Sequence, residues 1–203
     1  GGDYTTIQAA VNSATGTVKL NSNWCINVDS STYSEQVTVS SLTFTYSTNT
    51  LTIQSDPSLV STRTTVNPPV ASTAAFYILS SSVNIFGISI ISTNSVSYGV
   101  YVSSQHVSIS SVNIDAAGTI TTSGVEILAS YTTLTNSSMT LTNANTYGIR
   151  VVTPSMFNFI AYSTVATNSS KASLYLNNSD SSTYTGLFVR NAGNVSQSFA
   201  LNI

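Results

Sequence analysis

The sequence contains very little charge. Five Lys and Arg residues and seven Asp and Glu residues make up 6% of the 203-residue chain, against about 25% in ordinary soluble domains. The formal net charge is −2, so there is no basic surface to attract phosphate groups. This scarcity excludes nucleic acid as a partner and excludes attachment to anionic lipids through a basic patch.

Cysteine, histidine and long apolar runs are also scarce. Cys25 is the single cysteine and His106 the single histidine, so neither an internal disulfide nor a cysteine–histidine metal site can form. Because Cys25 follows Trp24 in an apolar alternation, we interpret it as a small buried side chain. No apolar stretch approaches the length of about 18 residues that a membrane-spanning helix needs, and we expect no membrane span.

Apolar residues are nevertheless abundant. They form 41% of the chain and occur along its whole length, which gives enough apolar surface for folding. Val, Ile, Thr and Tyr dominate, and these residues favour β-strands. The N-terminus is different, because Ile7, Ala10 and Val11 have helical spacing after two threonines that can provide an N-cap. We predict one short capping helix within residues 1–15.

An internal repeat determines the predicted fold. An apolar–polar–apolar triplet recurs with a nearly constant period of about 25 residues, beginning at Ile26, Leu51, Phe76, Val100, Val125, Ile149, Leu174 and Phe199. Each triplet has the alternation of a β-strand, and the units lack the consensus of leucine-rich repeats. The period predicts an all-β, single-stranded parallel β-helix with about eight coils over residues 22–203. The whole chain, residues 1–203, then forms a single domain.

Two further features recur in the same units. Residues 83–90 and 107–114 align at an offset of 24 and predict a second strand in each coil. Gly99, Gly124 and Gly148 occupy one slot just before the triplets. We expect this slot of small residues to form a tight corner shared by successive coils.

Two segments resemble a known superfamily. Residues 1–12, Gly-Gly-Asp-Tyr-Thr-Thr-Ile-Gln-Ala-Ala-Val-Asn, resemble the opening of pectin-lyase-like right-handed β-helix proteins, pectin methylesterases in particular. Residues 83–90, Val-Asn-Ile-Phe-Gly-Ile-Ser-Ile, look like the common coil pattern of that superfamily. The resemblance implies a right-handed β-helix whose first coil is closed by a helix. It does not imply an activity, because the superfamily includes lyases, esterases, tailspikes, adhesins and structural rods.

The catalytic motifs of pectin methylesterases have no counterpart here. Those enzymes place two aspartates, an arginine and glutamines on one face, whereas the nearest string in this chain, Asn-Ile-Phe-Gly, has no carboxylate. We therefore predict no catalytic, metal or cofactor site. Glu126 and Arg150 share an outward slot and are expected to form an exposed ion pair of small energy. Asp29 and Asp56 are interpreted as solvated turn residues, with a calcium site as the less favoured alternative. His106 is interpreted as a surface residue at a coil corner, with a Ser–His–acid triad as the less favoured alternative.

Aromatic and amide side chains supply the candidate contact sites. Tyrosines recur at outward positions and can stack on sugar rings, form a protein contact surface, or simply pack on one another; they are Tyr77, Tyr98, Tyr101, Tyr147 and Tyr175. Four acceptor strings for N-glycosylation occur in the second half of the chain, at Asn136, Asn168, Asn177 and Asn194.

The last residues begin a new coil and provide a candidate assembly surface at Phe199, Leu201 and Ile203. An open β-helix end invites strand addition from another chain. The first hypothesis is therefore a secreted, non-catalytic structural protein of a filament, surface layer or cell or virion spike, which binds itself or another surface protein. The alternative is a carbohydrate-binding module or a divergent pectin-type enzyme with a polysaccharide partner. An ice-binding role is less favoured, because no Thr-x-Thr ladder repeats at one slot.

Overall fold

The computed structural model describes residues 3–16, 20–58, 63–116, 118–152, 154–177 and 181–193, together with the main chain of residues 201–202. The described chain contains one helix followed by short parallel strands. These strands form three sheets of seven strands each. Successive strands of a sheet come from successive coils, which is the arrangement of a parallel β-helix and confirms the predicted fold class.

The predicted N-terminal helix is present as α1, Ile7–Thr15. Thr6 is its N-cap, and the Thr6 hydroxyl accepts a hydrogen bond from the amide of Ala9 at 3.1 Å. One face of α1 is buried against the first coil, through Ile7, Ala10, Val11 and Ala14. The helical spacing of these apolar side chains explains why this segment is a helix while the rest of the chain forms strands.

The three sheets divide the strands in strict rotation. The first sheet contains β1 Trp24–Val28, β4 Leu51–Ser55, β7 Val83–Phe86, β10 Val107–Ser110, β13 Thr133–Thr135, β16 Phe159–Ala161 and β19 Thr183–Thr185. The second contains β2 Thr32–Tyr33, β5 Thr65–Val66, β8 Ser89–Ile91, β11 Asn113–Ala116, β14 Ser138–Leu141, β17 Thr164–Thr167 and β20 Phe188–Asn191. The third contains β3 Val37–Val39, β6 Ala74–Ile78, β9 Val96–Val102, β12 Ile120–Ile127, β15 Tyr147–Val151, β18 Leu174–Leu176 and β21 Leu201–Asn202.

The number of coils is smaller than predicted. In the described part of the chain each sheet has seven strands, so about six turns separate its first strand from its last, where about eight coils were predicted. The predicted series of triplets combined two sheets, since Leu51 belongs to the first sheet and Phe76 to the third. On the following coil, the register partner of Leu51 is Val83 and not Phe76. Long loops after β4 and β5 lengthen this coil and move the partner further along the sequence. The regular step from Leu51 to Phe76 is therefore a coincidence of loop lengths.

The corner between the first and second sheets divides the predicted strand over 83–90 into two. The residues at this corner have positive φ between 49° and 70°, and they are Gly87, Ser111, Asn136, Tyr162 and Gly186. Left-handed residues turn the chain sharply without a loop. The predicted offset of 24 is correct, because Val83 pairs with Val107.

The glycine slot lies within strands, not at a corner. Gly99, Gly124 and Gly148 belong to β9, β12 and β15, and none of the three has a positive φ. A Cβ atom on Gly99 would lie 2.6 Å from the carbonyl oxygen of Gly124. A Cβ atom on Gly124 would lie 2.8 Å from the carbonyl oxygen of Gly148. Close approach between coils therefore requires glycine here.

Alternate side chains fill the interior of the solenoid. A continuous cluster of buried apolar side chains, mostly Val, Ile and Leu, extends from the helix to β18, and it includes Val37, Ile53, Phe76, Val125 and Leu174. Cys25 does not belong to it and is exposed, contrary to the prediction. Trp24 and Ile26 point inward, so the intervening Cys25 points outward. No described helix is long and apolar enough to cross a membrane.

Candidate functional site

The outer face of the third sheet carries a column of large polar and aromatic side chains. The pairing register places Tyr77, Tyr101, Glu126, Arg150 and Tyr175 at equivalent positions of β6, β9, β12, β15 and β18. Their neighbours along each strand are buried apolar residues of the core. Parallel in-register stacking therefore brings residues that are one repeat apart in sequence into direct contact.

A second column runs beside the first. Tyr98, Ser123 and Tyr147 are register partners on β9, β12 and β15, so the two tyrosines lie in alternate coils, as predicted. All five predicted tyrosines are half-buried. We call them the tyrosine strip, defined as Tyr77, Tyr98, Tyr101, Tyr147 and Tyr175. Five strands at a spacing of about 4.8 Å give the strip a length of about 19 Å.

The tyrosine strip consists of two aromatic clusters. In the first, the ring centroids of Tyr77 and Tyr101 lie 4.8 Å apart with planes 27° from parallel. Tyr98 is 4.9 Å from Tyr101 at 49°. In the second, Tyr147 and Tyr175 lie 5.1 Å apart at 50°. Each cluster thus covers part of its own ring surface and leaves the remaining ring faces and the hydroxyls at the surface of the sheet.

Glu126 lies between the two clusters and is buried. Its side chain is 2% exposed, whereas that of Arg150 is 32% exposed. The guanidinium donates to Oε1 of Glu126 at 2.8 Å, and the Ser123 hydroxyl donates to Oε2 at 2.8 Å. Burial raises the pKa of Glu126, and the hydrogen bond from Ser123 and the charge of Arg150 oppose this increase. The expected ion pair exists, but its carboxylate is not exposed, because large side chains on the strands before and after it exclude water.

Arg150 connects the buried carboxylate with the second aromatic cluster. Its guanidinium carbon lies 5.4 Å from the ring centroid of Tyr147 and 5.9 Å from that of Tyr175. Its Nε atom is buried and has no hydrogen-bond partner among the described residues. The ammonium of Lys171 lies 5.9 Å from the Tyr147 ring centroid. These distances allow cation–π attraction, so two positive groups and two phenol rings form one end of the site.

The acidic side chains outside these two columns form no candidate metal site. No group of three His, Cys, Asp or Glu among the described residues is arranged to hold a metal ion. Asp56 accepts hydrogen bonds from the amide and hydroxyl of Ser58, at 2.8 Å and 2.7 Å, which agrees with a turn residue. These two hydrogen bonds lower the pKa of Asp56.

A ladder of three aromatic rings was missed by the sequence analysis. His106, Tyr131 and Phe157 lie at the corner before the first sheet, each with φ of 56° or 57°. The His106 and Tyr131 centroids are 5.1 Å apart, and those of Tyr131 and Phe157 are 5.2 Å apart, with nearly parallel planes. His106 is exposed at a corner, as predicted. The recurrence of an aromatic ring at nearly the period of the repeat is the only sequence signal for this ladder.

The remaining predicted sites are placed only in part. Asn136, Asn168 and Asn177 are exposed, and Asn194 lies outside the described residues; glycosylation of these asparagines stays a prediction. Phe199 and Ile203 also lie outside the described residues. The main chain of Leu201 pairs with Leu174, which places Leu201, not Phe199, at the start of the equivalent triplet.

The fold is similar to that of pectin methylesterases. No protein-family model matches the chain, and no curated protein matches its sequence. The crystal structure of the pectin methylesterase from Aspergillus niger in deglycosylated form matches over 100% of this chain and 87% of that chain, with a TM-score of 0.60 and 13% identity. A penultimately deglycosylated form of that enzyme gives a TM-score of 0.56 at 13% identity. The chain therefore has a right-handed parallel β-helix fold, as the resemblance of its N-terminal segment implied.

Proposed function

We propose that this protein binds polysaccharide chains along the tyrosine strip. The observation that carries the proposal is the arrangement of two aromatic clusters around a buried Glu126–Arg150 pair on five successive strands. Phenol rings offer apolar faces for sugar rings and hydroxyls for hydrogen bonds. A strip of about 19 Å along the solenoid axis suits a linear chain of several sugar units.

The charges at one end of the strip indicate which sugars to test first. Lys171 is exposed and lies close to Tyr147, whereas the carboxylate of Glu126 is buried and paired with Arg150. The accessible charge is thus positive, which favours an acidic sugar over a cationic one. Polygalacturonate is the natural first ligand, because two solved structures with a similar fold are forms of a pectin methylesterase.

Binding without turnover agrees best with the groups present. Hydrolysis of a glycosidic bond needs two carboxylates on opposite sides of the bond, whereas cleavage of a methyl ester needs a nucleophile or general base within reach of the ester carbonyl. Glu126 is the only carboxylate in the two columns of this site. Glu126 is 2% exposed, so a substrate would reach it only after Arg150 or a tyrosine moved. We therefore place pectin-type esterase activity second, with Glu126 as the residue on which it would depend.

A polysaccharide ligand also implies an extracellular or cell-surface location, and a virion surface is compatible with it. Low charge and exposed asparagine acceptor strings support this location. Self-association, or binding to another surface protein through the C-terminal end, stays a separate prediction. It rests on Phe199, Leu201 and Ile203, whose side chains lie outside the described part of the chain.

The test is calorimetric titration with galacturonate oligomers, methyl-esterified oligomers and neutral β-glucan oligomers. Replacing both Tyr77 and Tyr101 by Ala should weaken binding about tenfold, since two stacked rings contribute about 1.4 kcal/mol or more. Tyr46→Ala is the matched control, because Tyr46 is 62% exposed in the loop after β3. Equal affinity of the wild type and the double variant would refute the tyrosine strip as the binding surface.

A second measurement separates binding from catalysis. Methanol release from methyl-esterified oligomers should be absent with the wild-type protein. Release that Glu126→Gln abolishes would replace the binding proposal with esterase activity at the same site.

A further inference from the structure

The helix closes only part of the first coil. Both carboxylate oxygens of Glu35 accept hydrogen bonds from the first turn of α1, from the amides of Ile7 at 2.9 Å and Gln8 at 2.8 Å. The Gln8 side-chain amide in turn accepts from the Thr38 amide at 2.6 Å and donates to the Thr38 carbonyl at 3.1 Å. Gln8 thus pairs with β3 as another strand would, and the free edge of the third sheet is covered.

Among the described residues, no side chain pairs with the free edge of the first sheet in this way. β1 is its terminal strand and pairs only with β4 among the described strands. The N–H of Trp24 donates to the carbonyl of Thr50 at 2.9 Å. The N–H and C=O groups of Trp24, and those of every second residue after it, therefore point toward β4. In a parallel ladder the intervening residues face the opposite way. The N–H and C=O groups of Cys25 and Asn27 therefore point to the free edge.

A cavity of about 440 Å³ lies along this edge, between β1 and α1. Its apolar wall includes Trp24, Ile26 and Tyr33, all only half-buried. Their equivalents on the next coil differ, since Leu51 and Ile53, the register partners of Trp24 and Ile26, are 0% exposed. One more strand at the free edge would bury the wall of the cavity in the same way.

The lining of the cavity is acidic. Asp3 and Asp29 line it, and no lining residue is Lys, Arg or His. Both carboxylates are exposed, and neither forms a salt bridge with a described cation. Burial and the charges of Asp29 and Glu35 raise the pKa of Tyr33 on the same wall. A ligand with basic groups is thus complementary in charge to this end of the solenoid.

We propose that the free edge of β1 and the adjoining cavity bind an extended segment of a partner protein in which apolar and basic side chains alternate. The segment adds a strand to the first sheet, with main-chain hydrogen bonds to Cys25 and Asn27. Its apolar side chains fill the cavity against Trp24 and Ile26, because alternate residues of a strand face the same side. This site lies on β1 and α1, separate from the tyrosine strip on the third sheet, and does not depend on polysaccharide binding.

The probe is an acetylated and amidated peptide of about seven residues, the length of a typical strand, that alternates lysine with valine. We expect saturable binding to the full chain by fluorescence of Trp24, which lines the cavity. A peptide with N-methylated valines lacks ladder donors and should bind at least about tenfold more weakly. A peptide with glutamate in place of lysine should also lose about tenfold in affinity, because it meets Asp3 and Asp29 with like charge.

Variants of the chain test the same contacts. Cys25→Pro removes one edge N–H without removing a bond to β4, and proline is tolerated on sheet edges. It should weaken peptide binding about tenfold, whereas the matched control Cys25→Ser should not change it. Asp29→Lys leaves the main chain intact and should also weaken peptide binding. It provides the test if Cys25→Pro does not fold.

Three results would overturn the proposal. They are absence of binding at millimolar peptide, equal affinity for the N-methylated peptide, and equal affinity of Asp29→Lys. Two further results would identify a different occupant and also overturn it. Concentration-dependent self-association without peptide, lost in Cys25→Pro, would assign the edge to a second copy of the chain. A galacturonate oligomer that competes with the peptide would assign the cavity to a glycan.

Discussion

Removal of the Arg150 guanidinium should destabilise the fold in a pH-dependent way. Arg150→Met keeps much of the side-chain stem but leaves the buried Glu126 carboxylate without its 2.8 Å partner. A hydrogen bond to a charged group contributes about 1.5–3 kcal/mol. Because Arg150 is 32% exposed, solvent screening favours the lower end of that range. We therefore expect a loss of about 1.5 kcal/mol in the free energy of unfolding at neutral pH.

Replacement of the carboxylate itself should have a much smaller effect. Burial is the largest cause of the raised pKa of Glu126, so the charged form is less favourable in the folded chain than in the unfolded chain. Glu126→Gln supplies a neutral group that can accept from Arg150 and pair with Ser123. The free energy of unfolding at neutral pH should thus change by less than about 0.5 kcal/mol or increase.

The pH dependence has a definite sign. A carboxyl group whose pKa is higher in the folded than in the unfolded chain binds more protons when folded. Its stabilising contribution is complete below the unfolded pKa of about 4.3 and is lost as pH rises through the folded pKa. The stability of the wild type relative to Glu126→Gln should decrease over that window, and the cost of Arg150→Met should shrink on acidification.

Urea unfolding of the wild type, both single variants and the double variant measures all three effects as a double-mutant cycle. A coupling energy near zero at neutral pH would show that the pair contributes nothing. A wild-type advantage over Glu126→Gln that increases with pH would refute the assigned direction of the pKa shift.

Three other predictions concern separate parts of the solenoid. Gly124→Ala should lower the free energy of unfolding by about 1–3 kcal/mol, because its Cβ would meet a carbonyl oxygen of the next coil at 2.8 Å. The control is Gly118→Ala, where φ is 80° but no atom lies within 4 Å of the added Cβ. Urea unfolding should show a smaller loss of about 1 kcal/mol for this control. Gln8→Ala should accelerate hydrogen exchange of the Thr38 amide, which the Gln8 side chain now binds, and unchanged exchange would contradict this. Burial, Tyr77 and the Glu126 charge raise the pKa of Tyr101, so Glu126→Gln should lower it in an ultraviolet titration of the phenol.

The sequence period located most of the tyrosine strip but not the first coils. From β6 to β18 successive coils are almost equal in length, so equal spacing in sequence becomes direct stacking in space, as for Tyr77 and Tyr101. The longer loops after β4 and β5 interrupt that relation. A fixed period cannot distinguish one sheet of the solenoid from another, which explains why Leu51 and Phe76 were placed in the same column.

Burial of individual side chains was harder to predict. Strand alternation placed Glu126 outward correctly, yet its exposure depends on Tyr101 and Arg150 on the neighbouring strands. The apolar neighbours of Cys25 predict an interior position, whereas strand alternation alone predicts the outward position that Cys25 occupies. The aromatic ladder at His106 lies at a left-handed corner, where an aromatic ring recurs at nearly the period of the repeat but no strand alternation marks the position.

The proposed function depends on glycan binding along the tyrosine strip. Nuclear magnetic resonance of the isotopically labelled chain, titrated with a galacturonate oligomer, tests it most directly. Binding along the strip should produce saturable shifts confined to the outer face of the third sheet, at Tyr77, Tyr98, Tyr101, Tyr147 and Tyr175. Saturable shifts at the free edge of β1, or an unchanged spectrum at millimolar oligomer, would contradict it.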